Sequence, residues 1–359
     1  MIKTSVAVLP GDGIGPEVMT QALRVLQQVA PQIDLKTGLI GGAAYSQHQS
    51  HFPEVTKRLI NDCDAVLFGS VGGPIEAADE PKWKNCEVNS ILALRNHLKL
   101  AINCRPAKFY SSLKDISPLK NERLADCDEI LILRELLGDI YFGDKRTYTT
   151  NSLMIAEDTA KYDENQIVQV AHHAFKTAAG RTQQVVSVDK ANVLDTSKLW
   201  RHVFQQISTE YPGVQLTHML VDNCAMQLIL NPGQFDVIAT SNLFGDILSD
   251  AASALPGSLG MMPSASFNQQ GFGLYEPSGG SAPDIAGQNK ANPMAQLLSL
   301  AMMLRHSFGL EREAESIESA IEKSLEAGYR TQDIMQTEKQ LVGTKEFTDQ
   351  VLQRLIASE

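Results

Sequence analysis

The run Asn242-Leu-Phe-Gly-Asp246-Ile-Leu-Ser-Asp250, with Gly257-Ser-Leu-Gly260 a few residues on, decides how the rest of the chain is read. The segment is otherwise apolar and helix-like, and two carboxylates stand four residues apart in it. Positions i and i+4 share one face of a helix, so Asp246 and Asp250 would point the same way. Like charges placed so repel unless a cation lies between them. A hard divalent ion such as Mg2+ takes carboxylate oxygens readily. Taken alone, two acids at this spacing are ordinarily a solvated helix face, so the meaning of the pair depends on its surroundings.

The bulk properties narrow the choice. The chain has 359 residues, 43% of them hydrophobic, and a formal net charge of -11. That length suggests two domains with sizeable cores. The negative balance argues against nucleic acid or an anionic membrane as a partner. It also means that an anionic substrate would need a locally basic pocket. The cysteines, Cys63, Cys86, Cys104, Cys127 and Cys224, are scattered and form no C-x-x-C pair. They point to reduced thiols in a cytoplasmic protein, not to a zinc site or a disulfide framework. No signal-peptide pattern opens the sequence, and no apolar run approaches the roughly 18 residues of a membrane span.

Strand-like and helix-like runs alternate, which predicts an α/β protein. Ser5–Leu9, Asp64–Phe68, Glu129–Leu133 and Val185–Val188 read as buried strands. Pro16 can open a helix after the turn Gly11–Gly15, because the first helical N–H needs no partner. Helical spacing covers Glu87–Lys99, Gln166–Ala179 and Lys198–Tyr211. Met294–Leu304 is apolar nearly all round and predicts a buried helix; 311–327 is amphipathic and predicts a surface one. Gly11-Asp-Gly-Ile-Gly15 superficially suggests a dinucleotide loop, yet its third glycine arrives one position early and no acidic residue with a clear role follows at the expected spacing.

Three arginines sit in short, defined settings: Ala93-Leu-Arg95, Asn103-Cys-Arg105-Pro and Ile132-Leu-Arg134-Glu. Singly, each would pass for a surface or salt-bridge arginine. As a set they suit a multiply charged acid, since the planar guanidinium meets a carboxylate bidentately. Lys190 follows an apolar strand in Val188-Asp-Lys190-Ala-Asn, an unusual place for a surface lysine. Near other cations and a metal its basicity would drop, making it a usable general base. Tyr141, in Gly138-Asp-Ile-Tyr141-Phe-Gly, reads equally as a core tyrosine or a proton donor.

These motifs, in order from Gly11-Asp-Gly-Ile-Gly-Pro-Glu17 to Arg330-Thr-Gln-Asp333, resemble the family of metal-dependent β-hydroxyacid oxidative decarboxylases, the isocitrate/isopropylmalate dehydrogenases. The resemblance implies a two-domain open mixed α/β sheet that is not Rossmann, with one domain from 1–100 plus 255–359 and a substrate, metal and dimerisation domain from 101–254. It implies Mg2+ or Mn2+ on Asp222, Asp246 and Asp250, with Asp222 supplied by the second subunit of a homodimer whose active site is shared. Arg95, Arg105 and Arg134 would bind the malate carboxylates. Lys190 would remove the hydroxyl proton and Tyr141 would protonate the enol carbon. Gly73 and Pro74 through Glu87 would line the nicotinamide. The cofactor loop would be Gly280-Ser281-Ala282-Pro283-Asp284-Ile285-Ala286-Gly287, with Asn292 beyond. Asp284 would accept the ribose hydroxyls and repel a 2′-phosphate, which selects NAD.

Relatives differ in the group on the malate. Glu87, Ile91 and Leu92 stand ahead of Arg95, where the resemblance places the residues that choose it. Two aliphatic side chains suit an isopropyl group and would leave a further carboxylate desolvated and unpaired. The expected reaction is oxidative decarboxylation of 3-isopropylmalate to 4-methyl-2-oxopentanoate, as in leucine biosynthesis. A tartrate/malate-type decarboxylating dehydrogenase of the same family is the alternative.

Overall fold

The computed structural model describes residues 4–124 and 127–356. It divides into two compact units. The first comprises Met1–Leu98, Tyr110–Pro118 and Pro256–Glu359; the second comprises Lys99–Phe109 and Leu119–Leu255. The short passage Tyr110–Pro118 joins the first unit although the residues on both sides of it belong to the second, and no shift in composition announces this. Residues 1–3, 125–126 and 357–359 lie outside the described residues.

In the first unit five strands lie in the order Asp34–Thr37, Ser5–Gly11, Ala65–Ser70, Gly273–Pro277, Pro263–Phe267. The first four are mutually parallel and the last is antiparallel to its neighbour. Ser5–Gly11 and Ala65–Ser70 are buried almost throughout, as central parallel strands covered on both faces must be, so they read as continuous apolar runs. Met294–Phe308 is the helix at the heart of this unit: every residue from Met294 to Leu304 is buried, and Gly309 ends it at φ +64°. Beside it, Glu311–Glu326 buries only its apolar stripe. The predicted helix Glu87–Lys99 is present in a modified form, a π-helical turn Val88–Leu92 running into the α-helix Ala93–His97. Such turns recur at functional sites because they re-aim side chains.

In the second unit the order is Ile102–Lys108, Glu129–Glu135, Val237–Thr240, Gln184–Asp189, Gln215–Leu220. Only the first pair is antiparallel. Helix Glu164–Ala179 starts with a capping box between Asp163 and Gln166. It packs on Asp195–Ser208 through Phe175 and Phe204, with Trp200 stacked on Phe204. An antiparallel ribbon, Lys145–Thr150 with Leu153–Asp158, stands largely exposed. The helices Val221–Leu230 and Asn242–Ala254 carry the acidic residues.

Candidate active site

The second unit gathers most of the expected chemistry. Asp246 and Asp250 lie on the helix Asn242–Ala254, one turn apart, as their spacing predicts. Arg134, at the end of the strand Glu129–Glu135, is ion-paired to Asp246 through Nη1. Arg105, on the neighbouring strand, reaches Asp246 at 3.5 Å and Asp250 at 3.2 Å. Both guanidiniums are buried, and neither is held by the aspartates alone. Arg105 Nε donates to Asn103 Oδ1 at 2.8 Å and its Nη1 to Ser249 Oγ at 2.8 Å. Tyr141 Oη donates to Asp246 Oδ2 at 2.9 Å. Two cations and a phenol therefore converge on one carboxylate.

The helix approaches these arginines closely because residue 245 is glycine: a Cβ there would lie 2.6 Å from Arg134 Cγ. Burial raises the Asp250 carboxyl above its usual value; Arg105 opposes the rise and the like charge of Asp246 adds to it. Burial likewise lifts the Tyr141 phenol, and the Asp246 carboxylate lifts it further, so the hydroxyl keeps its proton.

Lys190 and Asp222 form a separate pair within the same unit, Nζ to Oδ1 at 2.5 Å. The hydrogen bond from Lys190 holds the Asp222 carboxyl below its usual value. Lys190 leaves the strand Gln184–Asp189, and Asp222 opens the helix Val221–Leu230. The three expected metal aspartates are thus not assembled within one chain: among the described residues no cluster of three or more His, Cys, Asp or Glu side chains could hold a metal ion. Asp246 and Asp250 offer hard oxygen donors on one helix face, the donor chemistry that suits Mg2+ or Mn2+.

The first unit carries the remaining candidates. Arg95 is buried and donates through Nη2 to Glu276 Oε1 at 2.8 Å, whereas its buried Nε finds no hydrogen-bond partner among the described residues. An orphaned donor of this kind costs about 1–3 kcal/mol, which an acidic ligand can offset. Ile91 and Leu92 are half-buried on the π-helical turn, and Glu87 precedes them, exposed. Gly72 adjoins Glu87, for a Cβ there would meet Glu87 Oε1 at 2.6 Å. Gly73 packs so tightly on Trp83 that a Cβ would lie 2.2 Å from the indole, and Pro74 follows it into the short turn Ile75–Ala77.

Part of the expected cofactor loop borders a mainly apolar cavity of about 350 Å3, which Ser281, Pro283, Asp284, Ala286 and Gly287 do not line. Gly280, Ala282, Ile285 and Asn292 line it, joined by Ile14, Leu259 and Asp333, which stand in motifs quoted above but had been given no cofactor role. A Cβ on Gly280 would meet nothing within 4 Å, and one on Gly279 only Leu259 at 3.9 Å. Neither close packing nor a positive φ requires glycine at these two positions. Ser281 is buried and its carbonyl accepts from Ile14 N at 2.8 Å. Pro283, Asp284 and Gly287 are exposed, with Ala286 half-buried among them.

The Gly11–Gly15 turn therefore has a different task from a phosphate loop. Gly13, at φ +57°, leaves room for the Ser281 carbonyl, which a Cβ would approach to 1.9 Å. Buried Asp12 accepts from the backbone of Gly42, Ala43 and Gly72. The turn braces the loops of this unit.

The isocitrate/isopropylmalate dehydrogenase family profile matches residues 5–351, and the chain belongs to that family. Among its relatives, a 3-isopropylmalate dehydrogenase of Thermotoga maritima is 49% identical over 98% of this chain and 98% of its own. One from Neisseria meningitidis serogroup B is 50% identical over 98% and 99%. Of solved structures, isocitrate dehydrogenase from Methylococcus capsulatus superposes with a TM-score of 0.86 at 30% identity, covering 98% of this chain and 99% of that one. A β-decarboxylating dehydrogenase from Thermococcus kodakarensis gives 0.79 at 32% identity, covering 99% and 96%.

Proposed function

We propose that this protein oxidises and decarboxylates 3-isopropylmalate to 4-methyl-2-oxopentanoate, reducing NAD, as a step of leucine biosynthesis. The observation that carries the reading is the convergence of Arg105, Arg134 and Tyr141 on Asp246, with Asp250 one turn away. The relatives named above support the choice of substrate.

Arg105 and Arg134 release Asp246 when a substrate carboxylate arrives, and bind that carboxylate in its place. Arg95 takes the second carboxylate with its unpartnered Nε. Ile91 and Leu92 pack on the isopropyl group, while Glu87 faces the cofactor side. Lys190 leaves Asp222, gives up its extra proton to solvent, and as the neutral amine takes the proton of the substrate hydroxyl. Tyr141 later delivers a proton to the enol carbon; burial and the neighbouring Asp246 carboxylate raise its pKa and keep the phenol protonated at neutral pH. Held by Asp246, Asp250 and Asp222 of the partner subunit, Mg2+ or Mn2+ would supply Lewis acidity at the hydroxyl and carbonyl oxygens, and NAD would accept the hydride. Gly280, Ser281, Ala282, Pro283, Asp284, Ile285, Ala286, Gly287 and Asn292 form the NAD site, Asp284 setting the preference over NADP. Gly73 and Pro74 line its nicotinamide end.

A cytoplasmic homodimer completes the proposal. The five cysteines are free thiols, and no helix among the described residues is long and apolar enough to cross a membrane. Met226, Ile229, Leu230 and Ile247 stand exposed on the two acid-bearing helices, an apolar face that a second copy would cover. The test is NADH formation from 3-isopropylmalate, isocitrate, tartrate and malate, with Mg2+ and with EDTA. Isopropylmalate should win in kcat/KM, and only with metal. Equal kcat/KM for isocitrate or tartrate would overturn the substrate.

A further inference from the structure

Helix Asn242–Ala254 begins without a cap of its own, since Ser241 makes no side-chain bond to it. The first N–H groups of a helix need acceptors from elsewhere. Here Asn242 N donates to Tyr162 Oη at 2.9 Å and Leu243 N to Asp139 Oδ2 at 3.0 Å. The Asn242 side chain is turned to other partners and is 1% exposed. Its Oδ1 accepts from Arg134 Nε at 2.9 Å, and its Nδ2 donates to the carbonyl of Gly138 at 3.2 Å. Gly138 opens the turn that carries Tyr141. That turn has little slack, because a Cβ on Gly138 would lie 2.3 Å from the Tyr162 ring. Its other side is fixed by Glu135, whose carboxylate accepts from Leu137 N at 2.6 Å and Gly138 N at 2.9 Å.

We propose that Asn242 is a positioning residue for the reaction: its one amide holds Arg134, the Tyr141 turn and the helix of Asp246 and Asp250 in a single register. The inference rests on the reading of Tyr141 as proton donor given above. An amide suits the task because it offers an acceptor and a donor on one plane; a carboxylate offers acceptors only. A buried network whose members are all satisfied fixes geometry more sharply than apolar packing does.

The test is a double-mutant cycle on the full-length enzyme. Asn242→Ala should lower kcat by about 10- to 100-fold, the effect of displacing reacting groups by an ångström or less. In a Tyr141→Phe background the same change should cost several-fold less than in the wild type, because one of the groups it positions is gone while Arg134 remains. Asn242→Asp keeps the acceptor for Arg134 and loses the donor to Gly138. It should lower kcat while KM for 3-isopropylmalate stays within about threefold. Circular dichroism and melting establish folding first. If Asn242→Ala does not fold, Asn242→Asp takes its place in the cycle, and because it keeps the acceptor for Arg134 its loss should nearly vanish in the Tyr141→Phe background. Equal losses in both backgrounds, or unchanged kcat, would overturn the inference. Wild-type enzyme that forms no NADH would instead overturn the proposed function.

Discussion

Gly245→Ala offers a sharp test of how the second unit holds Arg134. The new Cβ would stand 2.6 Å from Arg134 Cγ, 2.8 Å from its Cβ and 3.2 Å from its Cα, where ordinary contact begins at 3.4 Å. The shortfall at Cγ, about 0.8 Å, falls on the stem and backbone of a buried strand residue, not on a flexible tip. Two effects oppose each other. Alanine in a helix interior is favoured over glycine by about 1 kcal/mol. Overpacking costs about 1–3 kcal/mol. With backbone among the clashing atoms the second should prevail, leaving a net destabilisation of up to about 2 kcal/mol. The catalytic effect should be larger, since moving a substrate-binding guanidinium by about 1 Å can cost on the order of 100-fold in rate. Steady-state kcat/KM for 3-isopropylmalate and a thermal melt measure both. A raised melting temperature with wild-type kcat/KM would show that the helix yields without moving Arg134, and would refute the reasoning.

Lys190→Met and Tyr141→Phe should each lower turnover by roughly 100- to 10,000-fold in the NADH assay, the usual range for general acid–base groups; near-normal turnover removes the residue from the mechanism. Asp284→Lys combined with Ile285→Tyr should move preference from NAD towards NADP, read as the ratio of kcat/KM values, and an unmoved ratio counts against Asp284 as the selecting residue. Mixing inactive Asp222→Asn and Asp246→Asn subunits, followed by re-association, should restore roughly a quarter of wild-type activity through heterodimers with one intact site; no recovery argues against a shared site. Burial lifts the Glu135 carboxyl from 4.5 to about 7 in the folded chain. The protonated form therefore stabilises the fold fully below 4.5, and that contribution is lost as pH rises through 7. Denaturant melts at pH 5 and pH 8 should show the wild type losing up to about 3 kcal/mol relative to Glu135→Gln; a pH-independent difference would show that the carboxyl does not titrate there.

The local patterns carried much of this organisation into the sequence. The i,i+4 aspartates, the apolar strands and the all-round apolar Met294–Leu304 are properties of neighbouring residues, so periodicity exposes them. Family membership followed from motifs in order along the whole chain. What stayed hidden depends on partners far apart in sequence. Nothing near Asp12 says that it holds Gly42 and Gly72. The Lys190–Asp222 pair spans 32 residues. Asn242 stood in view within its motif, yet its tie to Gly138 crosses 104 residues. The π-helical turn at Val88–Leu92 has the same apolar spacing as an ordinary helix.

The central claim is that Arg105 and Arg134 give up Asp246 to grip the substrate while a divalent ion takes their place on the aspartates. A crystal structure of the enzyme with Mn2+, 3-isopropylmalate and a reduced-cofactor analogue, with anomalous data at the manganese edge, tests it most directly. The account predicts one anomalous peak bonded to Asp246 and Asp250, and both guanidiniums on a substrate carboxylate. A peak elsewhere, with both arginines still paired to Asp246, would contradict it.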